Sequence, residues 1–263
     1  PSYYISDDTL IITNGTNGYE LDKNQRQIVV TDEEKTLVIA GAGSGKSLTI
    51  IGKIKYLIER KNIKQSDILC ISFTNEACNS LKNKLKEYYN YDINVLTFHK
   101  LGISIIKERN KEFNIASNCL EFVIKEVLEQ SNLKEYLKKY FKIDYINQID
   151  KLISTFIHLY KSTYNNLDYY EKIIKKVKSK KELILIKIIY MIHRIYDVEL
   201  KSQNEIDFDD MLHIANEIIL KNDIRKKYKY IIIDEYQDTS YVKFNLIKNI
   251  LEKTNAHLLA VGD

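Results

Sequence analysis

The chain has 263 residues, of which 44% are hydrophobic and 29% are charged, and its formal net charge is +4. This length accommodates one large or two ordinary domains with an ample core, and no apolar run approaches the roughly 20 residues that a membrane-spanning helix needs. Three cysteines without a C-x-x-C pair indicate neither a zinc site nor a disulfide framework. We therefore expect a soluble protein of the reducing cytoplasm, with no membrane partner.

Short apolar runs mark the predicted strands. Residues 14–18, N-G-T-N-G, first indicate a small hairpin, within an amino-terminal extension of residues 1–20. Strands buried on both faces are then predicted at residues 37–40, 68–73, 95–98, 230–233 and 257–261. Predicted helices at residues 46–60 and 76–89 separate the first three. Strands that alternate with helices predict an α/β fold with a parallel sheet flanked by helices.

A long segment without helix breakers separates the third strand from the fourth. The only proline is Pro1, and no glycine lies between Gly102 and Gly262. More than a hundred residues far exceed an ordinary crossover connection. We therefore expect a helical insertion at residues 106–205, carried by a nucleotide-binding domain of residues 21–105 and 206–263.

The insertion is also the basic part of the chain. Residues 106–205 contain 19 lysines and arginines against 14 aspartates and glutamates. Within them, residues 172–181 hold six lysines and no acid. A surface that follows a nucleic-acid backbone and a solvated helix face explain this pattern equally well.

A glycine-rich loop joins the first of these strands to its helix. Residues 37–47 read L-V-I-A-G-A-G-S-G-K-S. Such a loop points backbone N–H groups at phosphates, the helix adds the positive end of its dipole, and the lysine and serine supply a mobile cation and a Mg²⁺ ligand. The loop predicts a nucleoside triphosphate site. Its candidate residues are Ala40, Gly41, Ala42, Gly43, Ser44, Gly45, Lys46 and Ser47.

Two consecutive acids follow the predicted strand at residues 230–233. Residues 231–239 read I-I-I-D-E-Y-Q-D-T, and the carboxyl end of a parallel strand is where ligands bind. Asp234 is the candidate that holds Mg²⁺ through water, and Glu235 the candidate that orients and deprotonates the attacking water. An Asp-Glu pair after a strand is more often a cap or a solvated turn. Together with the phosphate loop, it predicts the second half of a hydrolytic site.

The D-E-Y-Q-D-T segment resembles the D-E-x-Q-D box of UvrD/Rep-type superfamily 1 helicases, and the alanine-led phosphate loop is of the same type. The resemblance covers nearly all of the chain after residue 20. It implies a RecA-like ATPase domain 1A, an inserted helical domain 1B, and ATP with Mg²⁺ as cofactors. It also implies that Gln237 senses the nucleotide state and that Asp238 holds its loop together.

Three further segments follow in the order of that family. Residues 21–29, L-D-K-N-Q-R-Q-I-V, are similar to its Q motif, which implies that Gln25 reads the adenine edge; Asp22 replaces the usual asparagine. Residues 72–85 and 96–101 are similar to motifs Ia and Ib, which line a track for single-stranded DNA. The implied partner is single-stranded DNA or duplex DNA with a 3' tail. The candidate contacts are Phe73, Thr74, Asn75, Thr97 and His99.

Some neighbouring residues have two readings. Phe98 is as well explained by burial in the core as by a DNA contact. Residues 207–212, D-F-D-D-M-L, match the segment that leads the family's chain back from the insertion, and helix capping is the alternative role for their acids.

Residues 259–263, L-A-V-G-D, are similar to the opening of the family's motif III. We therefore expect an amino-terminal fragment that binds nucleotide but hydrolyses it slowly and does not unwind duplex. An alternative is an ATP-driven remodeller of a protein complex, like the RNA-polymerase-releasing relatives of helicase IV. A third possibility is a nucleotide-binding module without catalysis. The motifs do not distinguish DNA from RNA.

Overall fold

A computed structural model describes residues 11–14, 17–109, 113–116, 119–130, 133–141, 146–221 and 227–263. The chain divides into two compact units. The first comprises residues 1–105, 216–239 and 243–263, and the second comprises residues 106–215 and 240–242. No helix within the described ranges is long and apolar enough to cross a membrane.

The first unit is built on a sheet of five strands, β3 (Lys35–Ile39), β4 (Ile68–Ser72), β5 (Asn94–Thr97), β8 (Tyr230–Ile233) and β9 (His257–Gly262). The strands are parallel and lie in the order β3-β9-β8-β4-β5. This arrangement confirms the predicted α/β fold. The accompanying helices are α1 (Lys23–Val30), α2 (Lys46–Glu59), α3 (Asn75–Tyr89), α4 (Phe98–Lys107) and α11 (Tyr241–Thr254).

Burial differs between the central and outer strands. Every residue of β4 and of β8 is buried, as their apolar sequences predict. The prediction was wrong for β3, whose Leu37 is 61% exposed and whose Ile39 is 77% exposed. Leu37 and Ile39 lie on one face of β3 and buried Val38 on the other, so this strand is covered on only one face within the described part of the chain.

The core of the first unit lies between the sheet and α2. The buried positions Ile50, Ile51, Ile54 and Leu57 recur at helical spacing along α2. They share a core with the apolar side chains of β4, β8 and β9. This packing holds the helix that follows the glycine-rich loop against the strand tips.

A two-stranded hairpin precedes α1. Strands β1 (Ile11–Asn14) and β2 (Asn17–Glu20) pair antiparallel, with Asn14 opposite Asn17. The hairpin predicted from the N-G-T-N-G segment is confirmed in its strands, whereas its turn at residues 15–16 lies outside the described residues, as do residues 1–10.

The second unit is mainly helical, as predicted from its lack of breakers. Its helices are α5 (Cys119–Gln130), α6 (Leu133–Phe141), α7 (Ile146–Lys161), α8 (Tyr169–Lys176), α9 (Lys180–Ser202) and the first part of α10 (Phe208–Lys221). A short parallel pair, β6 (Asn114–Ile115) with β7 (Glu205–Ile206), was not predicted. Ile153 and Ile157 of α7 share a core with Ile189 and Ile192 of α9.

The second unit extends beyond residue 205, where the sequence analysis ends the insertion. Residues 206–215 belong to the second unit, although the sequence placed them with the first domain. Asp207 explains this, because its carboxylate accepts hydrogen bonds from Lys161 Nζ at 2.6 Å and from the Tyr196 hydroxyl at 2.9 Å.

Candidate nucleotide-binding site

The glycine-rich loop occupies residues 40–45, between β3 and α2. Gly43 (φ 78°) and Gly45 (φ 83°) adopt left-handed backbone conformations that favour glycine. The Ala40 N–H donates to the Gly262 carbonyl at 2.8 Å and so ties the start of the loop to β9. A side chain at Gly41 would meet no atom within 4 Å. The loop is therefore an open cradle in front of the amino terminus of α2.

Gln25 attaches α1 to this loop. Its Oε1 accepts from the Asp22 N–H and the Asp22 carboxylate accepts from the Gln25 N–H, both at 2.9 Å, which forms a capping box. Its Nε2 donates to the Ser44 carbonyl at 3.1 Å. A Cβ atom on Gly45 would lie 2.6 Å from that Nε2. The amide predicted to read adenine thus bonds the glycine-rich loop, and Asp22 is its capping partner.

A buried lysine of α2 fixes the other end of α1. Lys53 Nζ donates to the carbonyl of Val29 at 3.0 Å and to that of Thr31. Burial lowers the pKa of Lys53 to about 8. The ammonium satisfies carbonyl groups at the carboxyl end of α1, where a positive charge is favourable. Sequence reasoning missed this residue, whose partners lie on another helix.

Asp234 and Glu235 follow the last residue of β8. The Asp234 N–H donates to the Ile71 carbonyl of β4 at 2.9 Å, and its carboxylate accepts from the Glu235 N–H at 3.1 Å. Burial, followed by the neighbouring Glu235 carboxylate, raises the pKa of Asp234. Glu235 has a φ of 52°, an uncommon value for a residue with a side chain. Such backbone strain concentrates at functional sites.

Four side chains form a connected set, here called the Lys46 network: Lys46, Glu235, Gln237 and Asp263. Lys46 Nζ contacts Glu235 Oε2 at 3.2 Å and also the Asp263 carboxylate. Gln237 Nε2 donates to Glu235 Oε2 at 2.9 Å, and its Oε1 accepts from the Asp263 N–H at 3.1 Å. The hydrogen bond to Asp263, then that to Glu235, raises the pKa of Lys46.

Asp263 was not a predicted site residue. Its signal was its position, because it directly follows β9, whose carboxyl end lies at the same sheet edge as that of β8. A side chain at Gly262 would crowd this network. A Cβ atom on Gly262 would lie 2.5 Å from Gln237 Oε1 and 3.2 Å from the Gln237 backbone nitrogen.

The predicted Mg²⁺ ligands are Ser47 and Asp234. No group of three or more histidine, cysteine or acidic side chains in the described part of the chain could hold a metal ion. Mg²⁺ usually takes only one or two protein ligands and completes its shell with phosphate and water oxygens. Exposed Ser47, in the first turn of α2, and half-buried Asp234, at a strand tip, fit that donor set.

The candidate DNA contacts lie after β4 and β5. Phe73 is half-buried and packs edge-on against buried Phe98, with ring centroids 5.4 Å apart. Lys243 Nζ lies 4.6 Å from the Phe73 ring centroid and 5.6 Å from that of Phe98. Phe98 is thus a core residue, and the partly exposed Phe73 ring carries a cation beside it.

The remaining candidates differ in exposure. Thr74 is exposed and caps α3 by accepting from the Ala77 N–H at 3.1 Å, and Asn75 is exposed beside it. His99 is half-buried. Thr97 does not match the predicted contact, because it is buried and its hydroxyl accepts from the Lys100 N–H at 3.2 Å.

Comparison with known proteins gives one family. The family described as UvrD/REP helicase N-terminal domain matches residues 21–263. A "Probable DNA helicase II homolog" of Mycoplasma capricolum is 33% identical over 261 residues, covering 92% of this chain and 34% of that protein. An "ATP-dependent DNA helicase Rep" of Buchnera aphidicola is 30% identical over 252 residues, covering 92% of this chain and 36% of that protein.

A third relative is a "Probable DNA helicase II homolog" of Rickettsia conorii. It is 29% identical over 251 residues, which cover 93% of this chain and 37% of that protein. The chain therefore spans about a third of the length of the curated relatives that it matches.

Proposed function

The chain belongs to the UvrD/REP helicase N-terminal domain family, and from this premise we propose that it is the ATP-binding part of an ATP-dependent helicase motor on single-stranded DNA. One observation carries the proposal: Lys46 of the phosphate loop contacts Glu235 of the acid pair, although 189 residues separate them. A cation for phosphate and a carboxylate for water thus meet at the ligand-binding edge of a parallel sheet.

In this mechanism the loop binds the triphosphate of ATP through its backbone N–H groups. Lys46 exchanges its carboxylate partners for phosphate oxygens, and the freed Glu235 carboxylate orients the attacking water and takes its proton. Ser47 directly and Asp234 through water would hold Mg²⁺, which neutralises charge that develops on the phosphates. Gln237 reports the change, because it bonds both Glu235 and the Asp263 backbone.

Gln25 has a part in nucleotide selection. We assign its amide to the adenine edge, which requires Nε2 to leave the Ser44 carbonyl that it bonds in this structure. The same movement frees that carbonyl of the phosphate loop. Adenine binding and loop conformation are thereby linked through one side chain.

The DNA track of this proposal uses Phe73, Thr74, Asn75 and His99. The ring of Phe73 stacks on a base, Thr74 and Asn75 bond phosphate oxygens, and Lys243 beside the ring adds a positive charge. Thr97 supports the turn after β5 instead of contacting DNA, since it is buried. The partner is single-stranded DNA or a duplex with a single-stranded tail.

The domain assignment follows the family. We assign residues 21–105 and 206–263 to domain 1A, residues 106–205 to domain 1B and residues 1–20 to an extension, although residues 206–215 pack with the second unit. We expect the 263-residue chain alone to bind ATP and hydrolyse it slowly without unwinding. Arginines supplied in trans contribute about 10³ to 10⁵ in rate to comparable phosphoryl-transfer sites, and the Lys46 network contains no arginine.

A Glu235→Gln variant tests the hydrolytic assignment. The neutral amide cannot take a proton, so ATP hydrolysis should fall by about 10² to 10⁴ while nucleotide affinity is retained. Hydrolysis is measured over long incubations of the chain with radiolabelled ATP, with and without oligo(dT), and affinity with a fluorescent nucleotide analogue.

The matched control is Glu87→Gln, on the exposed face of α3. It should leave both quantities unchanged. Normal turnover by Glu235→Gln would refute the base assignment. If oligo(dT) changes neither the ATP hydrolysis nor the nucleotide affinity of the unmodified chain, the proposed DNA motor is contradicted.

A further inference from the structure

The second unit contains a cleft of about 640 Å³ beside the start of α8. Its lining combines aromatic rings, amides and a cation, contributed by Tyr164, Asn165, Asn166, Tyr169, Lys172 and Tyr241. The predicted site residues all lie in the first unit, so none belongs to this cleft. Its volume is within the range of sites for small organic ligands, about 300 to 1,000 Å³.

Three tyrosines give the cleft flat apolar surfaces. The rings of Tyr164 and Tyr169 stack, with centroids 3.8 Å apart and planes 19° apart, and both are half-buried. Tyr241 is 59% exposed. An exposed tyrosine beside a stacked pair is a surface on which a further planar group can stack.

Two hydrogen bonds fix the backbone around these tyrosines. The Val242 N–H donates to the Ser162 carbonyl at 3.1 Å, which fixes the residue after Tyr241. The buried Tyr160 hydroxyl donates to the Asn166 carbonyl at 2.7 Å. A site whose rings are already ordered loses less entropy when a ligand binds.

One cation, Lys172, lines the cleft. Lys172 Nζ lies 5.0 Å from the Tyr169 ring centroid, and Lys176 follows one helical turn later on the same face of α8. The pKa of Tyr169 is lowered by the hydrogen bond with Tyr164, then by Lys176 and Lys172. Asp168 is the acid in the lining, next to exposed amides of Asn165 and Asn166 that can bond a base edge.

We propose that this cleft is a second binding site for single-stranded nucleic acid, in which one or two unpaired bases stack on the tyrosines and Lys172 contacts the adjoining phosphate. The proposal rests on the proposed DNA-dependent function and adds a contact in the second unit to those after β4 and β5. The sequence around Lys172 is rich in lysine, with six at residues 172–181, which adds positive charge along the chain that follows the cleft.

The experiment uses the absence of tryptophan from the sequence. A Tyr169→Trp variant has a single indole at the cleft, and a stacked base quenches indole fluorescence. Titration with oligo(dT) should quench it saturably. The matched control is Tyr190→Trp, because Tyr190 is also half-buried but lines a separate groove along α9 with Met191 and Arg194. Its fluorescence should not respond.

Anisotropy of a labelled oligonucleotide measures total binding in parallel. A Tyr164→Leu/Tyr169→Leu double variant should lose at least about 5-fold in affinity, the lower limit for one stacked base. Lys172→Ala should weaken oligonucleotide binding and reduce its salt dependence. Lys187→Ala, on the exposed face of α9, should change neither.

The outcomes separate the two proposals. Oligonucleotide binding with no quenching of Tyr169→Trp overturns the second site and leaves the proposed function standing. If the unmodified chain binds no oligonucleotide at all, both proposals are refuted. Equal quenching by blunt duplex overturns the assignment to unpaired bases.

Discussion

Each unit holds a lysine bound by carboxylates, but in different surroundings. In the Lys46 network the lysine side chain is 10% exposed, while Glu235 and Asp263 are 39% and 48% exposed. In the second unit, Lys161 is 5% exposed and bonds Asp207 at 2.6 Å and Asp210 at 2.8 Å. These residues and Tyr196, whose hydroxyl donates to Asp207, are called the Lys161 network.

The difference shows how the same chemical groups serve binding or structure. Carboxylates that reach water can release a lysine to a ligand at little desolvation cost, so the Lys46 network is suited to exchange its partners. The Lys161 network joins α7, α9 and α10, and separating its charges leaves an uncompensated charge in the interior. We therefore expect the first network to control ligand binding and the second to control stability.

The largest expected effect is on folding. Lys161→Met removes the lysine of the buried network, and breaking such a pair costs about 3 to 5 kcal/mol of unfolding free energy. Chemical denaturation followed by circular dichroism measures the loss. Lys187→Met, on the exposed face of α9, is the control and should change stability little. A similar small change for both variants would remove the contrast between the networks.

The next effect is on nucleotide binding. Lys46→Ala should weaken ATP binding by about 10- to 100-fold, the range for one charge-assisted hydrogen bond, and leave the folded state intact. A fluorescent nucleotide titration gives the affinity and a melting curve checks the fold. The control Lys64→Ala lies on the exposed segment after α2. Unchanged affinity for Lys46→Ala would contradict the phosphate-binding assignment.

The smallest effect is a pH dependence of the Lys161 network. Burial raises the pKa of Asp210 to about 6, with Lys161 opposing the shift and Asp207 adding to it. A raised carboxyl pKa stabilises the fold at low pH, and that contribution is lost as pH rises from the ordinary value of 3.8 to about 6.

Asp210→Asn removes this titration. Between pH 4 and 6 the unmodified chain should therefore lose about 1 to 2 kcal/mol of stability relative to the variant, after allowance for solvent screening of a partly exposed group. Burial acts to raise the pKa of Asp207, but the charge of Lys161 together with hydrogen bonds from Asp210, Lys161 and Tyr196 lowers it, so Asp207 acts in the opposite direction. Denaturation at several pH values measures the stability of the unmodified chain and of Asp210→Asn. If stability depends on pH in the same way for the two proteins, the assignment to Asp210 is refuted.

Much of the first unit was predictable because its signals are local. The buried strands β4 and β8 are recognisable in the sequence as short apolar runs. The strand, glycine-rich loop and helix around Lys46 are contiguous in the sequence. The exposure of Leu37 was not predictable in the same way. An apolar residue has the same sequence context on a covered face of a strand as on an open one, and only the elements packed against the sheet distinguish the two faces.

The residues of the candidate site also differ in how far they could be predicted from local sequence. Lys46, Asp234 and Glu235 stand out because each belongs to a short motif, whereas Asp263 and Lys53 act through partners distant in sequence. Asp263 lies 217 residues from Lys46. Thr97 and Phe98 were named from a motif, but their burial depends on packing against elements outside it.

The glycine-rich loop, the acid pair after a buried strand and the long helical insertion can be read from residue spacing alone. The folded chain was needed to show that Lys46 bonds Asp263 as well as Glu235, that Gln25 bonds Ser44, and that Lys161 is buried with its acids. The physical reason is that strand order and helix packing choose the partners of charged and amide groups, and many partners are chemically equivalent until the chain has folded.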